Sequence, residues 1–224
     1  MNIRAPDTGP LVLPVASKPV ILKIRNLVAN GRAAEALPCV AELDEFAHDH
    51  PTAVKLTKGV LLIDIASDLE DSGSAAKGIS LLKDVDVAML PESAASKHWY
   101  NLGNGYGALY NMKKTPSGLR RALDEDFSRA KQCYRTAMSL GASSAESTAR
   151  LYTNYGILLR TVGRHVEEIE AYDEALEAVP DFAMALWHKA RGLRWYSRLV
   201  ERPTKGVVSV GSVATSEEGP GGWA

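Results

Sequence analysis

The chain has 224 residues, and its 26 Lys and Arg against 27 Asp and Glu leave a net charge of −1, which argues against a globally basic nucleic-acid binder. With 46% hydrophobic and 24% charged residues it has the composition of a folded globular chain rather than a disordered one. Two cysteines, Cys39 and Cys133, are too few for a disulfide framework and suit a reducing cytoplasm.

Residues 1–16 contain three prolines and no helical period, so a flexible lead-in is expected. The apolar run from Leu11 to Ala16 is broken by Pro14 and falls short of the roughly 7–15 residues of a secretory core. No run approaches the roughly 20 residues of a membrane span. A cytoplasmic chain without a membrane partner is the expectation. From Pro19 to Val200, apolar residues recur at helical spacing. Val20, Ile24 and Leu27 form one stripe, and Ala36, Val40 and Leu43 the next. Helix-length segments follow at 52–68, 75–90, 96–111, 124–140, 147–161, 165–178 and 182–199. Turn signals separate most of them: Asn30-Gly31, Asp71 to Ser74, Gly141 to Ser144, Gly163 and Pro180-Asp181. Strand-like character is confined to Val207–Val210, in a Gly-rich tail. The expected fold class is all-α.

The helices fall in pairs, which directs attention to internal repeats. The clearest unit runs over 34 residues, from Ala149 to Phe182. Its first helix places Tyr152 and Tyr155 at large positions, Gly156 at a small one, and then Leu159. Gly163 marks the turn, the second helix carries Ile169, Tyr172, Ala175 and Leu176, and Pro180 closes the unit. This unit resembles a tetratricopeptide repeat (TPR). It departs at Glu168, where that family prefers a small residue, and the carboxylate is expected to tilt toward solvent, since an unpaired buried charge costs several kcal/mol. A second unit has Trp99, Leu102, Gly103 and Tyr106 in its first helix and Ala130, Tyr134 and Ala137 in its second, with an insertion over roughly 107–123. A third begins at Ala183 and supplies a first helix only. Weaker units span 17–50, with Gly31 and Ala36, and 52–90, with Gly59. The resemblance covers residues 17–199 and is strongest over 96–195. It implies a helical solenoid of about four and a half repeats, with small residues admitting close helix approach and large ones filling the gaps. Residues 200–224 are expected to form a disordered tail.

No catalytic constellation stands out. Both cysteines lie on apolar helical stripes, as structural thiols do. His48-Asp49-His50 sits at a helix end without a third ligand. Gly103 and Gly105 lie within a repeat helix and not in a phosphate loop. No enzyme activity, cofactor or metal is expected. Arg160 and His165 match the R-x4-H spacing of HEPN-type ribonucleases, but they straddle the turn at Gly163, whereas that motif belongs on one continuous helix.

The resemblance implies a concave groove lined by first helices, with ligand contacts at fixed positions. Here these are Lys97, Tyr100, Asn101 and Asn104, then Arg150, Thr153, Asn154, Ile157 and Arg160, then Met184, Trp187, His188, Arg191 and Arg194. Asn104 and Asn154 coincide with the asparagines that hold a peptide backbone in the carboxylate-clamp members of the family. The cationic clamp positions hold Tyr100, Met184 and His188 instead. Arg191, Arg194 and Arg198 share one helical face, while helix 165–178 is acidic, a segregation that would steer an acidic protein or peptide into the groove. The 182–199 helix has no helix after it, so Trp187, Leu193 and Trp195 are expected to be partly exposed, ready for self-association or for docking to a missing domain.

Three functional readings follow. The first is a protein-interaction scaffold. The second rests on a weaker resemblance of 96–195 to the TPR segment that precedes HEPN-type domains in bacterial defence-type proteins. It implies a non-catalytic sensor or regulatory half of a truncated effector. The third is RNA binding through Lys113, Lys114, Arg120, Arg121, Arg129 and Lys131. Asp124, Glu125 and Asp126 interrupt that run, which disfavours a nucleic-acid partner.

Overall fold

The computed structural model describes residues 11–113 and 122–200. The start of the lead-in, the basic residues Lys114, Arg120 and Arg121, and the tail from residue 201 lie outside the described residues. Among the described residues there are nine α-helices: α1 (Lys18–Ala29), α2 (Ala33–Cys39), α3 (Pro51–Leu69), α4 (Ser72–Lys83), α5 (Glu92–Met112), α6 (Glu125–Leu140), α7 (Ala145–Thr161), α8 (His165–Ala178) and α9 (Ala183–Val200). Short 3-10 turns occupy Val15–Ser17, Val40–Phe46 and Val87–Met89.

Local chemistry sets the helix starts. The Asp71 carboxylate accepts from the N–H groups of Gly73 and Ser74, Asp124 from those of Asp126 and Phe127, and the Ser144 hydroxyl from that of Ser147. Each satisfies donors that the first turn of a helix leaves open. Gly163 ends α7 at φ 79°, a left-handed conformation that costs a side-chain-bearing residue about 1 kcal/mol or more. Two segments depart from simple periodicity. Ala36, Val40 and Leu43 are all buried as the stripe requires, yet α2 gives way after Cys39 to the 3-10 turn. Pro38 lacks an N–H and crowds the preceding turn, which breaks the α-helical ladder there. The helix expected over 75–90 ends at Lys83. Asp86 then caps a separate turn by accepting from the N–H of Ala88.

The helices stack as antiparallel pairs: α1 with α2, α3 with α4, α5 with α6, and α7 with α8. Each second helix also packs on the next first helix, so α9 lies against α8. Successive first helices touch one another all along the chain, from α1–α3 to α7–α9, whereas successive second helices share at most marginal contact. The first helices therefore line the inner, concave side of an all-α helical-repeat solenoid.

Glycine under aromatic or aliphatic side chains brings the pairs together. A Cβ on Gly103 would lie 2.8 Å from the Tyr134 ring, and one on Gly156 would lie 2.5 Å from the ring of Tyr172. Between α3 and α4, a Cβ on Gly59 would meet Leu82 at 2.8 Å. Three clusters make up the core. The central one joins Ile63, Ile79, Leu102, Tyr106, Phe127, Tyr134 and Leu158, so it spans three successive pairs. The N-terminal cluster gathers around Ile24, Leu43 and Ile65, and Leu13 of the expected lead-in packs against it. The C-terminal cluster is small, centred on Ala149, Ala175 and Ala185.

Candidate functional site

The concave face of α3, α5 and α7 holds a cavity of about 450 Å3. Lys97, Tyr100, Asn101, Asn104 and Arg150 line it together with Asp64, Ser96, Glu146 and Ser147. Five of the fourteen expected groove positions thus line this cavity, and Thr153 faces away from it into the core. It is buried, and its hydroxyl donates to the carbonyl of Ala149 at 2.6 Å.

Asn104 and Asn154 meet across the α5–α7 seam. Asn154 Nδ2 donates to Asn104 Oδ1 at 3.0 Å and to the Tyr100 hydroxyl at 2.9 Å. The Tyr134 hydroxyl reaches up from α6 to donate to the same Asn104 oxygen at 2.8 Å. Burial holds the Tyr134 phenol well above its ordinary pKa, so it remains a donor. These bonds fix both amides in place. None of these three bonds uses the Asn104 NH2 group or the Asn154 carbonyl oxygen. An amide NH2 that donates and an amide oxygen that accepts are the counterparts of the C=O and N–H of a peptide group.

The charges are unevenly committed. Arg150 pairs with Glu146 at 2.6 Å, one turn earlier on α7. Arg160 Nη1 lies 3.0 Å from His188 Nδ1. Because a guanidinium can only donate, that bond requires a neutral His188 with its proton on Nε2. Burial, reinforced by Arg160 and Arg191, pushes the His188 pKa down to about 4. Arg191 lies over the Trp187 ring, 5.4 Å from its centroid. Lys97, Arg191 and Arg194 form no ion pair among the described residues and are exposed. At the other end, Asp64 stands on the floor of the concavity. Its surface is open to water, but protein crowds it from most sides, and that desolvation pushes its carboxyl up to about 6 despite the opposing pull of Arg25. The groove is therefore polar along its length, acidic at α3 and cationic at α9. Asp64 is a lining residue that the sequence reading missed. Carrying the repeat register into the weaker 52–90 unit would have placed it at a ligand-contact position.

Glu168 is the clear correction. Expected to tilt toward solvent, it is fully buried. Its carboxylate is 2.9 Å from His165 Nδ1 and accepts from the Tyr172 hydroxyl at 3.2 Å. Gly192 of α9 supplies the room, since a Cβ there would lie 3.3 Å from the Glu168 oxygen. Hydrogen-bonding partners one turn away on each side, and a glycine opposite, remove the penalty that argued for exposure. His165 in turn stacks on Trp195, ring centroids 3.7 Å apart, and Tyr172 stacks on His188. Arg160 and His165, the two ends of the R-x4-H spacing, stand on different helices and turn to different partners.

The remaining candidates resolve simply. Cys133 is buried, and burial pushes its thiol up to about 11, far from a thiolate nucleophile. Cys39 is also a buried free thiol. Lys113 pairs with Asp124 and Asp126, and Arg129 with Glu125, whereas Lys131 forms no ion pair among the described residues. Trp187 is 58% exposed, and Leu193 and Trp195 are 46% exposed. Among the described residues no helix is long and apolar enough to cross a membrane, and no cluster of three metal-ligating side chains occurs.

No protein-family model matches the chain, and no curated protein matches it. Among solved structures it is similar to the "TPR2AB-domain:pHSP90-complex of yeast Sti1", with 15% sequence identity, 83% of this chain and 86% of that chain covered, and a TM-score of 0.29. The repeat fold stands on the helix pairing and the glycine–aromatic contacts described above.

Proposed function

We propose that this chain is a non-catalytic interaction scaffold that takes an extended segment of another protein along the concave face of α5, α7 and α9. The observation that carries this reading is the Asn104–Asn154 pair. Its two amides are fixed by each other and by Tyr100 and Tyr134, in bonds that use neither the Asn104 NH2 group nor the Asn154 carbonyl oxygen. Amides ordered before binding lose little freedom when a peptide backbone arrives. Exposed Lys97, Arg191 and Arg194 favour acidic side chains on the incoming segment, mostly through faster association. The acidic floor at Asp64 favours the opposite charge at the far end, so the preferred segment carries its acids toward the α9 end.

The test is selection of binders from a random peptide library against the full chain, followed by anisotropy titration. Selected peptides should be enriched in acids and bind about tenfold more weakly as salt rises from low to physiological strength. Asn104→Ala with Asn154→Ala should weaken them by about tenfold or more, the cost of leaving peptide groups unpaired. Lys97→Glu, an exposed substitution that leaves the fold intact, should weaken them too. Peptides that bind every variant equally well would refute the groove reading.

A further inference from the structure

Each first helix from α1 to α7 has a second helix lying over it, and α9 has none among the described residues. The stripe that α7 turns to α8 consists of Tyr152, Gly156 and Leu159, of which Gly156 and Leu159 are buried. Thirty-four residues on, the same register falls on Leu186, Ala190 and Leu193 of α9. Leu186 and Leu193 are each 46% exposed, and Ala190 is exposed as well. The open face is thus a seat of known shape, the one that a second helix fills everywhere else in the solenoid.

Charge says what fits it. α9 carries Lys189, Arg191, Arg194 and Arg198 and no acid. Only Lys189 has an ionic partner among the described residues, Asp173 of α8. Leu186, Ala190, Arg194 and Arg198 follow one another at four-residue spacing, so a single ridge is apolar in its first half and cationic in its second. An antiparallel helix on this ridge would set its own first turns against Arg194 and Arg198. Acids belong there twice over, opposite the arginines and at a helix N-terminus. α8, which fills the equivalent seat on α7, has that character: its first six residues include Glu167, Glu168 and Glu170, and it contains no Lys or Arg. A second copy of this chain is the wrong occupant, because α9 against α9 would set four cations against four with no carboxylate between them.

We propose that the uncovered face of α9 docks an amphipathic helix of another protein whose first turns are acidic, seated on Leu186, Ala190 and Leu193 as α8 is seated on α7. This surface shares Arg194 with the proposed groove but contains neither Asn104 nor Asn154, and the proposal does not depend on that pair.

The probe is a fluorescein-labelled peptide of residues 164–179, capped at both ends, titrated into the full chain by anisotropy. Saturable binding is expected, weakened about tenfold at high salt and lost with a scrambled peptide of the same composition. Leu186→Asp with Leu193→Asp should reduce it by about tenfold or more, and so should Arg194→Glu with Arg198→Glu. All four sites are exposed, so circular dichroism should show an unchanged fold. Asn104→Ala should leave this binding unaltered, which separates it from the groove. Absence of binding, or binding indifferent to the leucine pair, overturns the proposal. A dimer in sedimentation that the leucine pair dissolves overturns it in favour of a second copy. A tenfold gain in peptide binding on deleting residues 201–224 overturns it in favour of the chain's own tail.

Discussion

The α5–α6 and α7–α8 pairs share one frame and solve one position in opposite ways. In both, a glycine of the first helix, Gly103 or Gly156, lies under a buried tyrosine of the second, Tyr134 or Tyr172. Four residues before that tyrosine stands Ala130 in α6 and Glu168 in α8, each with no exposed surface. The neighbours change with them. Three residues earlier, α6 has Phe127, packed on Tyr110, where α8 has His165, bound to Glu168. From the following first helix, Leu158 joins the core that contains Ala130, whereas Gly192 faces Glu168. Small against large becomes large against small, and the polar version brings its own hydrogen-bond partner. A position in a repeat is thus a volume shared between two helices, and its residue can be judged only with the residue opposite.

The comparison breaks most severely if the charge is moved without its partners. Ala130→Glu should cost about 4 kcal/mol or prevent folding, because Phe127 cannot bind a carboxylate and Leu158 takes up the space. Urea denaturation would measure the loss. Next comes Glu168→Ala, expected to cost about 2 kcal/mol by leaving the Tyr172 hydroxyl unpaired and a void beside Gly192. Adding Gly192→Leu converts the site to the α6–α7 pattern and should recover more than half of that loss. Equal loss in single and double variants would show that the two positions are not coupled.

Smaller effects sharpen the shared frame. Gly156→Ala should cost about 1–2 kcal/mol and Gly103→Ala less, since the added Cβ would lie 2.5 Å from one ring and 2.8 Å from the other. In both, the better helix propensity of Ala offsets about 1 kcal/mol of the clash. Thermal melts that rank them in reverse would contradict the contact geometry.

The smallest effect is on pH dependence. His188 titrates near 6.5 when unfolded and at about 4 when folded, so between those values the unfolded chain holds a proton that the folded chain does not. Stability through this group is complete above 6.5 and falls as the pH drops toward 4. His188→Gln, which keeps an acceptor for Arg160, should flatten that part of the stability profile. Asp64 acts in the opposite sense. Its carboxyl is raised from 3.8 to about 6, so the folded chain holds the extra proton and stability through this group rises as the pH falls across that window. Asp64→Asn should steepen the acid loss that His188→Gln relieves.

Much of this was legible in the sequence because it is local. The 3.6-residue stripes located α3, α5, α6, α7, α8 and α9 to within a few residues, and the turn signals at Asp71, Ser144 and Gly163 coincide with the caps of α4 and α7 and with a left-handed turn. Exposure of Trp187, Leu193 and Trp195 followed from counting helices. Where a single residue overrode the period, as Pro38 did in α2, the boundary moved. The groove asparagines could be named from the repeat register, but their bonding to each other spans 50 residues of chain and depends on Tyr134 from a third helix.

The sequence by itself determined most of the helices, because each depends on residues within a turn or two of one another, and the repeat register carried their pairing and the small positions under Tyr134 and Tyr172. Only the tertiary structure decided that Glu168 is buried, that Asp64 is crowded and that Arg160 of α7 is engaged by His188 while the arginines of α9 form no ion pair among the described residues. The physical reason is that the cost of burying a charge is set by the atoms around it, and here those atoms come from helices distant in sequence: Gly192 for Glu168, Arg25 for Asp64 and His188 for Arg160.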